Sequence, residues 1–367
     1  MQQNRYFRNL DWWLVIAIFG LVGIGICLIA SATHSFAVTT GKAWHVERQS
    51  LFLAIDLALV IFSLRFDYRL LKDIATPLYV FNIILLLAVM FLGHSQLGAQ
   101  RWIQIGPLSI QPSEFSKAII VCLAAFLNKR LETLDSFTDY LPALAYAFVP
   151  FILVMKQPDL GTSLVFMAIL LGMLLISGFK VRWLMYMSGA LIALMPALWH
   201  ILKEYQKNRI RVFLDPELDP FGAGYHVIQS KIAIGSGLLT GKGWFLGTQS
   251  QLNFLPENHT DFIFAVAGEE FGFIGIFIIL LLYLIVIWRG LTIALNAEDD
   301  FGTLLAVGIT FMFMFHVLVN IGMTAGIMPV TGVPLPFMSY GVSSLTTNML
   351  LAGLLLNINM RRQQLQF

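Results

Sequence analysis

Charge is scarce in this 367-residue chain. Asp, Glu, Lys and Arg make up only 12% of it, where soluble domains carry about 25%. Hydrophobic residues make up 58%. A water-soluble fold of this length cannot hide that much apolar surface, whereas a bilayer accepts it from every side. The net charge is +2, too small to point to nucleic acid, so the position of charges matters more than their total. Cysteine is scarce as well. Cys27 and Cys122 each lie inside an apolar run. That placement gives no disulfide framework and no metal-ligand spacing, and it reads as two buried thiols. There is no fixed-period repeat, no low-complexity tract and no soluble domain, so residues 1–367 read as one integral membrane domain.

What is present is long apolar runs. Arg5 and Arg8 precede the first, and Ala30-Ser31-Ala32 resembles a signal-peptidase site. The run from Trp12 to Ala30 is nevertheless longer than the ~7–15 residues of a signal peptide's apolar core. It is long enough to span a bilayer, which takes about 20 residues, so it reads as an uncleaved first span. Ten runs qualify: 12–31, 49–64, 74–92, 113–128, 139–155, 161–178, 183–202, 263–288, 302–322 and 341–359. In hydrocarbon the backbone must satisfy its own hydrogen bonds, which makes each run a helix and the fold class all-α.

Cations in short loops orient the spans. With the N-terminus inside, the inner segments hold Arg5, Arg8, Arg65, Arg69, Lys72, Lys129, Arg130, Lys180, Arg182, Arg289, Arg361 and Arg362. The short outer ones hold only Lys42, Arg48, Arg101 and Lys156. Both termini are thus expected to be cytoplasmic. The segment 203–262 then faces outward, and loops beyond about 15 residues are usually functional or disordered. This one is too patterned for disorder. It opens basic (Lys203, Lys207, Arg209, Arg211) and turns acidic at Asp215 and Asp219. Residues 225–234 are amphipathic enough to lie in the membrane interface, and Gly235, Gly237, Gly241, Gly243 and Gly247 follow.

Ionisable groups at or within membrane helices are expensive and therefore candidates for function. Four outer clusters stand out. Glu114 and Lys117, spaced i, i+3, share one helix face and read either as a structural ion pair or as part of a site. Asp159, in Gln157-Pro158-Asp159-Leu160-Gly161-Thr162, is a helix cap, a site carboxylate, or both. Asp261, in Leu255-Pro256-Glu257-Asn258-His259-Thr260-Asp261-Phe262, stands where the eighth span enters the membrane, which suits a cap or a positioned general base. Residues 329–341 hold three prolines and two glycines, so they cannot be regular helix and are expected to make a turn or line a cavity. Glu269 and Glu270 fall within an apolar span and need a partner or water. Asp56, His200, and His316 with Asn320 read as packing residues. An outward cavity with carboxylates and cations follows from these residues, but transport and catalysis fit it equally.

Gly98-Ala99-Gln100-Arg101-Trp102, Gln-Pro-Ser-Glu-Phe-Ser-Lys (111–117), Gln-Pro-Asp-Leu-Gly-Thr (157–162), Leu-Pro-Glu-Asn-His-Thr-Asp-Phe-Ile-Phe-Ala (255–265) and Pro-Phe-Met-Ser-Tyr-Gly (336–341) occur in this order. In that order they resemble the SEDS family, the bacterial shape, elongation, division and sporulation proteins, over essentially the whole chain. Pro329-Val330-Thr331-Gly332-Val333-Pro334 resembles the elongation branch (RodA) more than the division branch (FtsW). Val342 departs from the family, which usually has a second glycine there.

The resemblance implies a peptidoglycan glycosyltransferase that polymerises lipid II at the outer leaflet of the bacterial cytoplasmic membrane, beside a class B penicillin-binding protein. It makes Asp261 the essential aspartate and carries functional roles to Arg48, Glu114, Lys117 and Asp159. Arg101, Arg209 and Ser339 join them as candidate substrate contacts. A divalent cation, Mg or Mn, is a candidate cofactor with Asp159 and Glu114 as oxygen ligands. The rival readings are a lipid II transporter, a division-type polymerase, and a scaffold for the penicillin-binding protein.

Overall fold

The computed structural model describes residues 9–96, 99–105, 108–134, 136–201, 204–220 and 222–362. Arg5, Arg8, Gly98 and Lys203, which entered the reading above, lie outside the described residues. Nine of the ten apolar runs fall largely on a single helix, and the run 113–128 is divided among three short helical elements. Four precede residue 130: α1 (Trp12–Ala32), α2 (Trp44–Ser63), α3 (Leu71–Leu92) and α4 (Ile119–Asn128). A helical turn, Pro112–Phe115, and a 3-10 turn, Ser116–Ala118, lead into α4. Then come α5 (Phe137–Lys156), α6 (Leu160–Ile176) and α7 (Val181–Ile201). The outer segment contains α8 (Glu204–Leu214) and α9 (Ala223–Ser236). The chain closes with α10 (Ile263–Leu295), α11 (Asp300–Thr324) and α12 (Val342–Met360). Of the described helices, five are long and apolar enough to cross a bilayer by themselves: α1, the run Tyr68–Phe91, α5, α10 and α11.

Polar side chains set several helix starts by accepting from the otherwise unsatisfied first N–H groups. Asp11 accepts from Leu14 N at 3.1 Å, Asp299 from Gly302 N at 3.3 Å, and Ser136 with Asp139 forms a capping box at α5. Helix α11 is the hub. It packs on α10, α6 and α4, while α10 also packs on α1 and α9, and α12 packs on α2. The opposite face of α10 exposes Phe273, Phe277, Leu284 and Trp288, an apolar surface that only lipid or another apolar partner accommodates.

Charged residues separate to two ends of the bundle. At one end Arg289 holds Asp11 at 2.7 Å, Lys72 lies 3.8 Å from Asp299 and Arg361 lies 3.5 Å from Asp67. These are the loops read as inner. At the other end meet Arg48, Arg101, Glu114, Arg209 and Asp261, all from segments read as outer.

Between α3 and Pro112 the ordered loop is a small antiparallel ribbon, β1 (His94–Gln96), β2 (Ala99–Ile105) and β3 (Leu108–Ile110), in the order β1-β2-β3. Among the described residues the regular structure is otherwise helical. The amphipathic stretch 225–234 forms a helix, α9, and it is docked on the bundle. Val227 and Ala233 are buried, and Ser230 Oγ donates to Thr324 O at 2.7 Å.

The glycines after α9 serve a break in α10. At Gly272 the backbone turns to φ 62°, ψ −162°, a conformation open to glycine and closed to other residues. The chain 238–243 supplies the hydrogen bonds that the break removes. Lys242 N and Gly243 N donate to Glu269 O and Glu270 O, both at 3.0 Å, while Phe273 N and Ile274 N donate to Leu238 O and Leu239 O at 2.9 and 3.1 Å. Below the break, residues 273–295 rise roughly 34 Å at ~1.5 Å per residue, enough to cross a bilayer core of about 30 Å. The short upper arm, Ile263–Glu270, is buried on all sides.

Candidate active site

The turn 257–261 that leads into α10, the start of α2, the ribbon, the Gln111–Glu114 turn, the start of α6, α8 and the 330–344 segment line a cavity of about 570 Å³. Its lining includes Arg48, Arg101, Trp102, Gln111, Glu114, Thr162, Arg209, Glu257, His259, Thr260, Asp261, Thr331, Gly332 and Tyr340. Five of the eight site residues expected from sequence, Arg48, Arg101, Glu114, Arg209 and Asp261, therefore converge on one space.

Asp261 does not cap α10. The capping position is Phe262, and no side chain bonds the first turn there, so the carboxylate remains available to the cavity it lines. Gly332, with φ +71°, passes so close that a Cβ on it would lie 3.2 Å from Asp261 Oδ2. Burial pushes the Asp261 carboxyl up to about 7, the neighbouring negative charges of Glu257 and Asp159 push the same way, and Arg101 and Arg209 partly offset them. Burial pushes the neighbouring His259 ring down, with Glu257 opposing, which favours a neutral imidazole.

The other three expected residues lie one layer behind the cavity wall. Asp159 is the cap of α6, with Oδ1 accepting from Thr162 N at 3.2 Å and Oδ2 from Thr162 Oγ1 at 3.0 Å. It also receives Gln111 Nε2 at 3.4 Å and faces Arg101 at 3.8 Å, so it caps α6 and also contacts an arginine of the cavity lining. Arg101 is further anchored through Nε to Gln157 O at 3.2 Å and through a second donor to Pro158 O. Lys117 is fully buried, 2.7 Å from Glu114 Oε2, and reaches the cavity only through that carboxylate. Ser339 Oγ donates to Thr260 O at 2.6 Å and accepts from Leu335 N at 2.8 Å, which ties the two loops beneath Asp261.

A divalent cation fits this donor set poorly. Both oxygens of Asp159 and one of Glu114 are taken by protein donors, and among the described residues no three His, Cys, Asp or Glu side chains cluster closely enough to hold a metal. The acids in α10 have separate roles. Glu269 accepts from Lys242 Nζ at 2.7 Å and from Gln249 N and Ser250 N at 2.9 and 3.2 Å, so it braces the outer loop. Ser31 Oγ donates to Glu270.

Several lining residues carry no signal in the sequence. Trp102, Thr162, Glu257, His259 and Tyr340 sit inside the quoted motifs but carried no feature that singled them out. His259, Tyr340 and His45 form a cluster of rings 4.9–5.6 Å apart. Asn320 and His316 read in the sequence as packing residues. Both instead bond the irregular loop, with His316 Nδ1 3.0 Å from Pro334 O and Asn320 Nδ2 donating to Val333 O at 2.8 Å. Their signal was an i, i+4 polar pair within an apolar helix.

A helical membrane protein with an arginine-lined chamber and a carboxylate at one end of the bundle is thus defined. Residues 12–364 match the FtsW/RodA/SpoVE family, described as cell cycle proteins, and the chain belongs to that family. It is 45% identical over 340 residues to the peptidoglycan glycosyltransferase MrdB of Escherichia coli K12, covering 92% of each chain. It is 40% identical over 357 residues to the stage V sporulation protein E of Bacillus subtilis, covering 95% of this chain and 96% of that one. Among solved structures, a chain from a study of how a peptidoglycan synthase complex coordinates polymerization and crosslinking superposes with a TM-score of 0.82 at 34% identity, covering 97% of this chain and 99% of that one. The rod shape determining protein RodA of Thermus thermophilus superposes with a TM-score of 0.72 at 28% identity, covering 97% and 98%.

Proposed function

We propose that this chain is a peptidoglycan glycosyltransferase that polymerises lipid II for cell elongation, working beside a class B penicillin-binding protein. It sits in the bacterial cytoplasmic membrane with ten spans, α1–α7 and α10–α12. Both termini are cytoplasmic, and residues 203–262 lie outside. The observation that carries the reading is the convergence of Asp261 with Arg48, Arg101 and Arg209 around one cavity. The similarity to MrdB and the resemblance of residues 329–334 favour the elongation branch over the division branch.

Asp261 acts as the general base. It takes the proton of the acceptor sugar's 4-hydroxyl as that oxygen forms a bond to the anomeric carbon of the lipid-linked chain. The bond from that carbon to the pyrophosphate breaks in the same in-line step, inverting α to β. A positioned base contributes about 10²–10⁴-fold, and it works best when its pKa lies near the working pH. Negative charge gathers on the departing pyrophosphate, and Arg48, Arg101 and Arg209 are preorganised to receive it. Asp159 holds Arg101 in place, and the Glu114–Lys117 pair shapes the wall. No step is routed through a metal.

Transport remains the rival class. A transporter needs a site near the midplane reachable from both faces, while the charged residues of this cavity collect at one end of the bundle. Purified protein in liposomes with labelled lipid II, with and without the penicillin-binding protein, separates the two. Glycan chains are expected, and flipping without polymerisation would overturn the reading.

A further inference from the structure

Three consecutive carbonyls lead into Asp261, and each accepts a hydrogen bond from a different donor. Tyr340 N donates to His259 O at 2.9 Å, Ser339 Oγ to Thr260 O at 2.6 Å, and Asn320 Nδ2 to Asp261 O at 2.9 Å. The same Asn320 amide donates to Val333 O at 2.8 Å, beside the Gly332 that packs against the Asp261 carboxylate. Both partners are carbonyls, so only the NH₂ side of the amide satisfies them. Its Oδ1 is then buried without a partner, in a side chain with no exposure at all. A leucine of similar size would fill the space but leave both carbonyls without this donor, so packing alone does not account for an asparagine here.

We infer that Asn320 is a positioning residue. From the rigid hub helix α11 it clamps the Asp261 main chain to the 331–334 loop and so fixes where the carboxylate points. The inference rests on Asp261 being the base. A carboxylate on a turn at a helix entrance swings with its backbone, and displacements near 1 Å reduce rates by about 10²-fold. Ser339 holds the preceding carbonyl and belongs to the same clamp.

The test compares Asn320→Leu and Ser339→Ala with wild type in lipid II polymerisation, each alone and combined with Asp261→Asn. The expected result for Asn320→Leu is a 10–100-fold lower kcat with KM changed less than about twofold, and a smaller loss of the same kind for Ser339→Ala. In the Asp261→Asn background neither substitution should lower the residual rate further, because a residue acting through Asp261 has nothing left to position. If Asn320→Leu does not fold, the Ser339→Ala cycle decides. Full activity of the single variants, or losses that multiply with that of Asp261→Asn, would overturn the clamp. Undiminished activity of Asp261→Asn alone would instead overturn the assignment of the base.

Discussion

Replacing Glu257 by Gln should move the working pH range of the enzyme downward. Asp261 is held up to about 7 first by burial and next by Glu257, with Arg101 and Arg209 opposing. A base acts only when ionised, so the competent fraction of wild-type sites falls as the pH drops below about 7. The acid limb of kcat/KM is therefore expected near pH 7. Glu257→Gln removes a negative neighbour, favours the ionised carboxylate and shifts that limb to lower pH. At pH 6 the variant should then outpace wild type several-fold. Arg209→Gln removes a positive neighbour and should shift the limb upward. The same rise bears on stability. An aspartate whose folded pKa lies above its unfolded value of 3.8 binds its proton more tightly in the folded state, so stability falls as pH rises from about 4 to 7 and then levels. At about 1.4 kcal/mol per pH unit, ionised Asp261 disfavours the fold by on the order of 4 kcal/mol. Asp261→Asn should thus melt higher than wild type at pH 8 and alike below pH 4. An acid limb near pH 4, or one that Glu257→Gln leaves in place, would refute this electrostatic picture.

Two further substitutions address the scaffold. Glu114→Gln strands Lys117, which is fully buried against it, and should destabilise the protein by about 3–5 kcal/mol. Thermal melting in detergent checks this, and an unchanged melting temperature would show that the pair is not closed in the folded protein. Gly272→Ala places a Cβ 2.3 Å from Gly241 N at φ +62°. The backbone must move to admit it, so a loss of several degrees in melting temperature and reduced folded yield in membranes are expected, with normal melting the contrary result.

The helices were legible because lipid imposes one rule on every span. Runs such as 12–31 and 302–322 needed only apolar length to declare α1 and α11. The break in α10 was hidden, since Gly272 is one of several glycines in an apolar stretch and its meaning depends on residues 238–243 folding back onto it. The outer segment was recognised as ordered, but the docking of α9 depends on contacts such as Ser230 with Thr324, which join residues far apart in sequence. The site was readable to the extent that charge near a membrane is conspicuous. Arg48, Arg101, Glu114, Arg209 and Asp261 drew notice for that reason, whereas Asn320 is uncharged and its role appears only when Asp261 O and Val333 O arrive at its amide.

The most direct measurement is the length and rate of glycan chains made from labelled lipid II by purified wild-type protein and by Asp261→Ala, with lipid II binding followed in parallel. Chains from wild type, none from the variant, and binding retained in both is the predicted outcome. Chains of normal length and rate from Asp261→Ala would contradict the account.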